Sequence, residues 1–170
     1  ELVYEPRPLS INIITLSDRA SRGEYEDKSG PAIEQALADF FENKRWHPKI
    51  KRNIIPDDKN LLRKELAASQ TDGCDIIITT GGTGVAPRDF TPEVIAEFID
   101  KEIPGIMEHI RVKYGSEKPN ALLSRSIAGV KDQTLIYALP GSVKAVKEYM
   151  TEILKTLEHL IFTLHVIDNH

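Results

Sequence analysis

The sequence has only one cysteine, one tryptophan and no excess of positive charge. Because Cys74 has no second thiol in the chain, no disulfide can form within it. The 22 basic and 26 acidic residues give a net charge of −4, so no overall positive field attracts nucleic acid or anionic lipid. No apolar run approaches the roughly 20 residues of a membrane span, and Glu1 to Ser10 lacks the pattern of a signal peptide. We therefore expect a cytoplasmic protein with no nucleic-acid or membrane partner.

Internal repeats and low-complexity tracts are also absent. The chain has 170 residues, of which 41% are hydrophobic and 28% charged, which is the composition of an ordinary globular protein. This length suits a single core better than two. We expect one domain over residues 1–170, with its core at about 11–160 and Cys74 buried.

Apolar patterns alternate between strand and helix along the chain. Short β-branched runs predict strands at 11–16, 49–55 and 75–79, and a hairpin at 126–139. Helical spacing predicts helices at 31–43, 60–69 and 105–114, and two more that begin at Thr91, as a cap, and at Val143. The run Ile76 to Ile78 is apolar on both faces, as in a central parallel strand. The sequence predicts an α/β fold: a three-layer, doubly wound, mostly parallel sheet with helices on both faces.

Polar and glycine-rich turns follow four of these strands. They contain Ser17-Asp18, Asp57-Asp58, Gly81-Gly82-Thr83-Gly84 with Arg88-Asp89, and Pro140-Gly141-Ser142. In open α/β sheets the ligand lies outside the carboxyl ends of the strands. The sequence therefore predicts a ligand site where these turns meet.

Each turn also has a plainer interpretation. The glycines of Gly81 to Gly84 could cradle a phosphate, but for this tetrapeptide alone a tight strand-to-helix turn is the favoured interpretation, and neither the P-loop nor the dinucleotide fingerprint is present. Asp57 and Asp89, with Asp18 or Asp58, offer the oxygen ligands that Mg²⁺ prefers, although a turn aspartate often caps a helix. Ser142 could cap a helix or mark an anion site.

Two further features stay open at this stage. Arg88 and Arg125 could contact phosphates in bidentate fashion or be ordinary surface charges. Leu154, Leu157, Ile161 and Leu164 form a helical stripe that belongs either to the core or to a subunit interface. The five histidines lack the spacing of a zinc site.

Five sequence blocks occur together and in order. They are Leu16-Ser17-Asp18 with Asp27-Lys28-Ser29-Gly30-Pro31, Ile55-Pro56-Asp57, Thr80 to Gly84 with Pro87 to Glu93, Leu123-Ser124-Arg125-Ser126 with Ala128-Gly129, and Leu139-Pro140-Gly141-Ser142. In these blocks the chain resembles the MogA/MoaB family of molybdopterin adenylyltransferases, which includes the gephyrin-like domains. The third block is the most specific.

The resemblance implies an activity and a set of site residues. It implies a homotrimer that transfers AMP from Mg-ATP to molybdopterin, with ATP as co-substrate, Mg²⁺ as cofactor and pyrophosphate as the second product. The family's two essential aspartates match Asp57 and Asp89, which we expect to act in catalysis and to hold Mg²⁺. The expected substrate and nucleotide contacts are Ser17, Asp18, Gly81, Gly82, Thr83, Gly84, Arg88, Ser124, Arg125, Ser126, Pro140, Gly141 and Ser142.

One departure and two alternatives accompany this resemblance. Val143 stands where many family members have proline, which would pre-form the start of the helix. The chain could instead be a non-catalytic molybdopterin-binding or scaffolding protein, an alternative that Asp57 and Asp89 argue against. We expect the chain to be too short for the later step, molybdate insertion, and to pass its product to an insertion enzyme.

Overall fold

A computed structural model describes residues 8–165. These residues contain one six-stranded sheet, whose strands in chain order are β1 (Leu9–Leu16), β2 (Pro48–Ile55), β3 (Ile76–Thr80), β4 (Lys101–Glu102), β5 (Ile127–Lys131) and β6 (Thr134–Leu139). The helices are α1 (Asp18–Ser21), α2 (Ser29–Phe41), α3 (Lys59–Thr71), α4 (Thr91–Phe98), α5 (Pro104–Gly115) and α6 (Val143–His165), with a 3₁₀ turn at Pro119–Leu123.

The sheet is mostly parallel. Its strand order is β2-β1-β3-β6-β5-β4, and the first four of these strands run in the same direction. β5 and β6 form the expected antiparallel hairpin, whose turn puts Asp132 at a φ of 52°. The short strand β4 pairs with β5 at the edge of the sheet.

Apolar side chains form one core on each face of the sheet. On one face, α2, α5 and α6 pack against residues such as Ile11, Ile78 and Tyr137. On the other face, α3 and α4 cover Ile14, Ile77 and their neighbours. This arrangement confirms the three-layer α/β fold. It arises because alternate residues of a strand point to opposite faces, and both faces of the central strands are apolar.

The stripe on the last helix belongs to the core. Leu157 and Ile161 are fully buried in the first core, and Leu154 and Leu164 pack against it. Cys74 is buried as expected, with its thiol close to the carbonyl oxygens of the strands around it. No helix among residues 8–165 has the length and apolar character that a membrane span requires.

Local structure differs from the sequence prediction in three places. Thr91 does not cap α4, because it is the first residue of the helix and its hydroxyl donates instead to the Gly81 carbonyl, at 2.9 Å. The turn after β1 contains the short helix α1, capped by Ser17. Strand β4 has only two residues, Lys101 and Glu102, both polar, so no apolar alternation could reveal it.

Candidate functional site

The four predicted turns meet at one edge of the sheet. They follow β1, β2, β3 and β6, which are neighbours, so their carboxyl ends lie side by side. The chain leaves β1 to form β2 on one side and later returns to form β3 on the other, which makes the gap between β1 and β3 a topological switch point. Such a point is where doubly wound sheets bind their ligands.

Two of the predicted aspartates hold each other in place. The Asp18 backbone N–H donates to Asp57 Oδ2 at 3.2 Å, and the Asp57 N–H donates to Asp18 Oδ1 at 2.9 Å. This reciprocal pair joins the turn after β1 to the turn after β2. Each carboxylate is therefore fixed through one oxygen and keeps further acceptor capacity on the other.

Carboxylates are crowded around Asp57. Partial burial raises the pKa of Asp57 above its usual value of 3.8, and the negative charges of Asp18 and Asp89 add to this rise. The hydrogen bond from the Asp18 N–H and the positive charge of Arg88 act in the opposite direction without cancelling it. The site thus places a partly desolvated carboxylate beside two others, an arrangement that a bound cation would stabilise.

Arg88 is the basic side chain in contact with this pair. Its Nη2 donates to Asp18 Oδ2 at 2.7 Å and to the Asp57 carbonyl at 3.0 Å. The Arg88 side chain is nevertheless 66% exposed, so solvent screens the ion pair and little free energy opposes its exchange for another partner. Arg88 can therefore move from Asp18 to an incoming phosphate.

The glycine-rich loop after β3 is shaped by close approaches of backbone. Gly81 has a φ of 105°, and a Cβ there would collide with the Leu16 carbonyl. A side chain at Gly82 would collide with Thr91, and Gly141 lies against Gly81. The loop is also tied to β6, because the Gly81 N–H donates to the Leu139 carbonyl at 3.0 Å. Backbone N–H groups in such a loop lie open to a ligand.

A chain of hydroxyl groups lies beside this loop. Thr83 Oγ1 is 3.3 Å from Ser124 Oγ, which is 3.0 Å from Ser126 Oγ. Arg111 fixes the segment by donating to the Ser126 carbonyl at 2.9 Å. Ser124 and Ser126 are distant in sequence from the glycine-rich loop. The structure brings them next to it, as the site prediction requires.

Asp89 ends a tight turn next to the glycines. Asp89 Oδ2 accepts from the Ala86 N–H at 2.9 Å, and a Cβ on Gly84 would lie only 2.7 Å from the same oxygen. Arg125 reaches this turn with its guanidinium, and Nε, Nη1 and Nη2 each donate to a protein acceptor. Three of its five N–H groups are therefore engaged within the chain.

Several polar residues of the motifs have structural roles. Ser17 caps α1, and Ser142 caps α6 by accepting from the Ala145 N–H at 3.2 Å. Asp58 points away from the other aspartates and caps α3, as its plainer interpretation predicts. Asp27 accepts from the Gly30 N–H and from the Thr15 hydroxyl, which explains the Asp27-Lys28-Ser29-Gly30 block as the start of α2.

A cavity of about 310 Å³ adjoins the hydroxyl chain. It lies between α5, the 3₁₀ turn and the first turns of α6, and Ser124, Pro140 and Ser142 line the side nearest the loops. Tyr114 and Tyr149 are among the other lining residues, together with the charged side chains of Lys118, Lys144 and Glu148. Its surface is mainly apolar, which suits a flat ring.

The sequence prediction missed three side chains that shape this site. They are Tyr149, Arg111 and Glu93. Tyr149 is buried, and within the described chain its hydroxyl has no hydrogen-bond partner. Tyr149 and Arg111 lie on helices far from any motif, so no local signal identifies them. Glu93 is part of the Asp89-to-Glu93 block and could have been found there.

Comparison with known proteins gives consistent matches over nearly the whole chain. The family described as "Probable molybdopterin binding domain" matches residues 12–159. A molybdopterin adenylyltransferase of Helicobacter pylori J99 is 35% identical over 154 residues, which covers 90% of this chain and 86% of that protein. The molybdopterin adenylyltransferase of Escherichia coli K12 is 37% identical, over 82% of this chain and 71% of its own.

Solved structures agree with this match. A structure of MogA superposes with a TM-score of 0.83 at 33% identity and covers 91% of this chain and 99% of its own. The tungsten cofactor synthesizing protein MoaB from Pyrococcus furiosus superposes with a TM-score of 0.79 at 34% identity, over 94% and 98% of the two chains.

Proposed function

The chain belongs to the molybdopterin-binding domain family, and on that premise we propose that it is a molybdopterin adenylyltransferase. In this reaction an oxygen of the terminal phosphate of molybdopterin attacks the α-phosphorus of ATP. The bond from that phosphorus to the β-phosphate oxygen breaks, and its electron pair leaves with pyrophosphate. The attacking phosphate is already ionised at neutral pH, so the chain needs no general base.

The observation that carries this proposal is the meeting of an acidic cluster and a phosphate cradle. Asp57 and Asp18 are locked together beside Asp89, and the loop Gly81 to Gly84 lies next to them at the same edge of the sheet. Transfer between two phosphate groups needs both parts, because catalysis is mainly positioning and charge neutralisation.

The carboxylates fit a magnesium ion that is shared with the phosphates of ATP. Among residues 8–165 no group of three or more His, Cys, Asp or Glu side chains is arranged to hold a metal by itself. Mg²⁺ usually binds through one or two carboxylates and completes its shell with water and substrate phosphates. Asp57 is a partly buried carboxylate with the charges of Asp18 and Asp89 close by. Asp57 and Asp89 would hold the ion, which neutralises the charge that develops on the departing pyrophosphate.

Loop backbone and hydroxyl groups would bind the phosphates themselves. The N–H groups of Gly82, Thr83 and Gly84 and the hydroxyls of Thr83, Ser124 and Ser126 would supply donors from two directions, while the Gly81 N–H is used by the Leu139 carbonyl. Asp18 would orient Asp57, and Arg88 would leave Asp18 for a phosphate oxygen. The loop N–H groups and the hydroxyls stand in place before the substrate arrives, so apart from the exchange of partner by Arg88 little reorganisation is needed.

A ring of the substrates would occupy the cavity between α5 and α6. Pro140, Gly141 and Ser142 lie between this cavity and the glycine-rich loop, so a molecule with a phosphate at the loop has its ring at the cavity. Tyr114 and Tyr149 line this cavity, and their rings would pack against a flat ring with polar atoms at its edge. Both the pterin of molybdopterin and the adenine of ATP have such atoms.

The remaining expectations belong to the same proposal. We propose a cytoplasmic homotrimer that passes adenylyl-molybdopterin to an insertion enzyme. The support is the family membership and the exposed apolar side chains of Val112, Leu122 and Leu123, which a subunit contact would cover.

The proposal is tested by pyrophosphate release from Mg-ATP with and without molybdopterin. We expect release that requires molybdopterin and falls at least about 100-fold in Asp57→Asn and Asp89→Asn. Asp39→Asn is the matched control, because Asp39 is an exposed residue of α2 far from the site loops, and it should retain full activity. Tight molybdopterin binding without pyrophosphate release would instead identify a binding or scaffolding protein.

A further inference from the structure

Arg125 makes an unusually complete set of contacts for a partly exposed arginine. Nε donates to the Gly84 carbonyl at 2.9 Å, Nη2 donates to the Asp89 carbonyl at 2.9 Å, and Nη1 meets the Glu93 carboxylate. All three guanidinium nitrogens therefore have protein acceptors. Because the guanidinium is planar, hydrogen bonds from all three of its nitrogens allow only one orientation, so these contacts fix the side chain.

The acceptors lie at both ends of the loop that carries Asp89. Gly84 begins this loop, Asp89 ends it, and Glu93 lies in the first turn of α4. Within the loop, the Asp89 N–H donates to the Ala86 carbonyl at 2.9 Å, and the Ala86 N–H donates back to Asp89 Oδ2 at 2.9 Å. The two hydrogen bonds between Ala86 and Asp89 close the middle of the loop, and Arg125 joins its two ends.

The backbone of Arg125 continues the same attachment. Its N–H donates to the Thr83 carbonyl at 2.8 Å. Arg125 therefore hydrogen-bonds to the residue before the loop, Thr83, to its first residue, Gly84, and to its last residue, Asp89. The next residues on either side, Ser124 and Ser126, belong to the hydroxyl chain. The same segment therefore sets the distance from Asp89 to these hydroxyls and to the N–H groups of the glycine-rich loop.

We propose that Arg125 is a positioning residue that acts through Asp89 rather than a residue that binds phosphate. This inference rests on the proposed function, in which Asp89 must stand at a fixed place beside Asp57. Arg125 holds the ends of the loop, and the closed turn then presents the Asp89 carboxylate against Gly84. Glu93 is the anchor that keeps the guanidinium in this orientation.

A lysine substitution separates positioning from charge. Arg125→Lys keeps the positive charge but has a single nitrogen, which cannot reach the three acceptors together. If Arg125 bound phosphate, Lys would restore most of the activity and the loss would be in the KM for ATP. For a positioning role, Arg125→Lys and Arg125→Gln lose similar activity, about 10- to 100-fold, and the loss is in kcat.

Two further variants complete the series. Glu93→Gln removes the charge from one contact only, because the amide oxygen can still accept from Arg125, so it keeps the fold and should show a smaller loss of kcat in the same direction. Arg63→Gln is the matched control, because Arg63 also forms an ion pair with a glutamate of α4, Glu97, but does not touch the loop. We expect wild-type kcat and KM in this control.

The deciding experiment measures amide hydrogen exchange over residues 84–90 together with the kinetics of these variants. We expect exchange to be about tenfold faster in Arg125→Lys and Arg125→Gln and unchanged in Arg63→Gln. Exchange needs no turnover, so this measurement decides whether Arg125 holds the loop even if the wild-type protein releases no pyrophosphate. Unchanged exchange, near wild-type kcat in Arg125→Lys, or a loss confined to the KM for ATP would each overturn the inference.

Discussion

The residues that form the acidic cluster are arranged for function at some expense of stability. Asp57 is half-buried next to two other carboxylates, and its pKa is raised for that reason. A carboxyl whose pKa is higher in the folded than in the unfolded protein destabilises the fold wherever it is ionised in both states. This penalty is present at neutral pH and disappears as the pH falls through the folded pKa towards the unfolded value.

Asp57→Asn should therefore stabilise the protein while abolishing its activity. Asparagine can still accept from the Asp18 N–H, and the repulsion from Asp18 and Asp89 is removed. We expect a rise in Tm of about 2 to 4 °C at pH 7, the shift that ~1 kcal/mol produces in a domain of this size. Thermal unfolding followed by circular dichroism measures it, and a lower Tm in this variant would contradict the account of the cluster.

The same raised pKa sets a pH dependence for the activity. In the proposed role Asp57 is ionised to hold a cation, so kcat/KM, which reports the free protein, should fall as the pH is lowered through a pKa above 3.8. A pH profile of pyrophosphate release in Mg-ATP measures this acid limb. Retention of full activity below pH 3.8 in a folded protein would contradict the role of Asp57.

Gly84 is a second position at which a small change, the addition of a Cβ, should affect the activity. A Cβ there would meet Asp89 Oδ2 at 2.7 Å, whereas a Cβ on Gly105 would meet nothing within 4 Å. We expect Gly84→Ala to displace the Asp89 carboxylate and to lower kcat by about 10- to 100-fold. Gly105→Ala, the control, should keep full activity. Equal kcat in the two variants would show that the position of Asp89 does not matter.

At the scale of the secondary-structure elements, α5 and α6 are joined by a buried carboxylate. The Glu152 side chain is 4% exposed and meets Lys113, Lys155 and the Tyr114 hydroxyl. The hydrogen bond from Lys113 is the main cause of a low pKa of about 2 for Glu152. Because this value is below the usual 4.5, the stabilising contribution is complete above pH 4.5 and is lost as the pH falls towards 2.

Glu152→Gln should accordingly lower the stability at neutral pH but not at acid pH. We expect a loss of about 1 to 2 kcal/mol at pH 7, the usual size for hydrogen bonds to a charged group. The difference from the wild type should shrink between pH 4.5 and 2 in urea unfolding. Glu148→Gln is the control, since Glu148 also lies on α6 and pairs with a lysine, Lys118, in the segment after α5. A difference for Glu152→Gln that is constant with pH would contradict the assignment.

Elements with a clear apolar period could be predicted from the sequence, and elements without one could not. Ile76 to Ile78 identified β3 because both faces of the strand are covered. The two-residue strand β4 and the 3₁₀ turn at Pro119–Leu123 contain too few residues to show a period. Thr91 was wrongly expected to cap α4, because its partner, the Gly81 carbonyl, comes from a loop ten residues earlier.

At the scale of the whole molecule, the sheet order decides which sequence motifs become one site. The turns after β1, β2, β3 and β6 could be assigned to one edge from the parallel arrangement alone. The pairing of Asp18 with Asp57 depends on the adjacency of β1 and β2, and the attachment of Arg125 to the Asp89 loop depends on the path of the chain after α5. Contacts of this kind are set by tertiary structure, so local patterns gave the residues but not their partners.

Self-association is a prediction at this scale. Val112, Leu122 and Leu123 are each more than half exposed, and exposed apolar side chains that lie together favour a subunit contact. We expect sedimentation equilibrium to give three times the chain mass of 19.1 kDa. A single species with the mass of one chain at all concentrations would contradict the trimer.

The central claim is that this edge of the sheet transfers AMP to molybdopterin. Its most direct test is mass spectrometry of molybdopterin after incubation with Mg-ATP and the purified protein, with the pyrophosphate measured in the same sample. We predict that molybdopterin gains one AMP for each pyrophosphate released, and that Asp57→Asn and Asp89→Asn form neither product. Unchanged molybdopterin in the presence of the folded wild-type protein and Mg-ATP would contradict the claim.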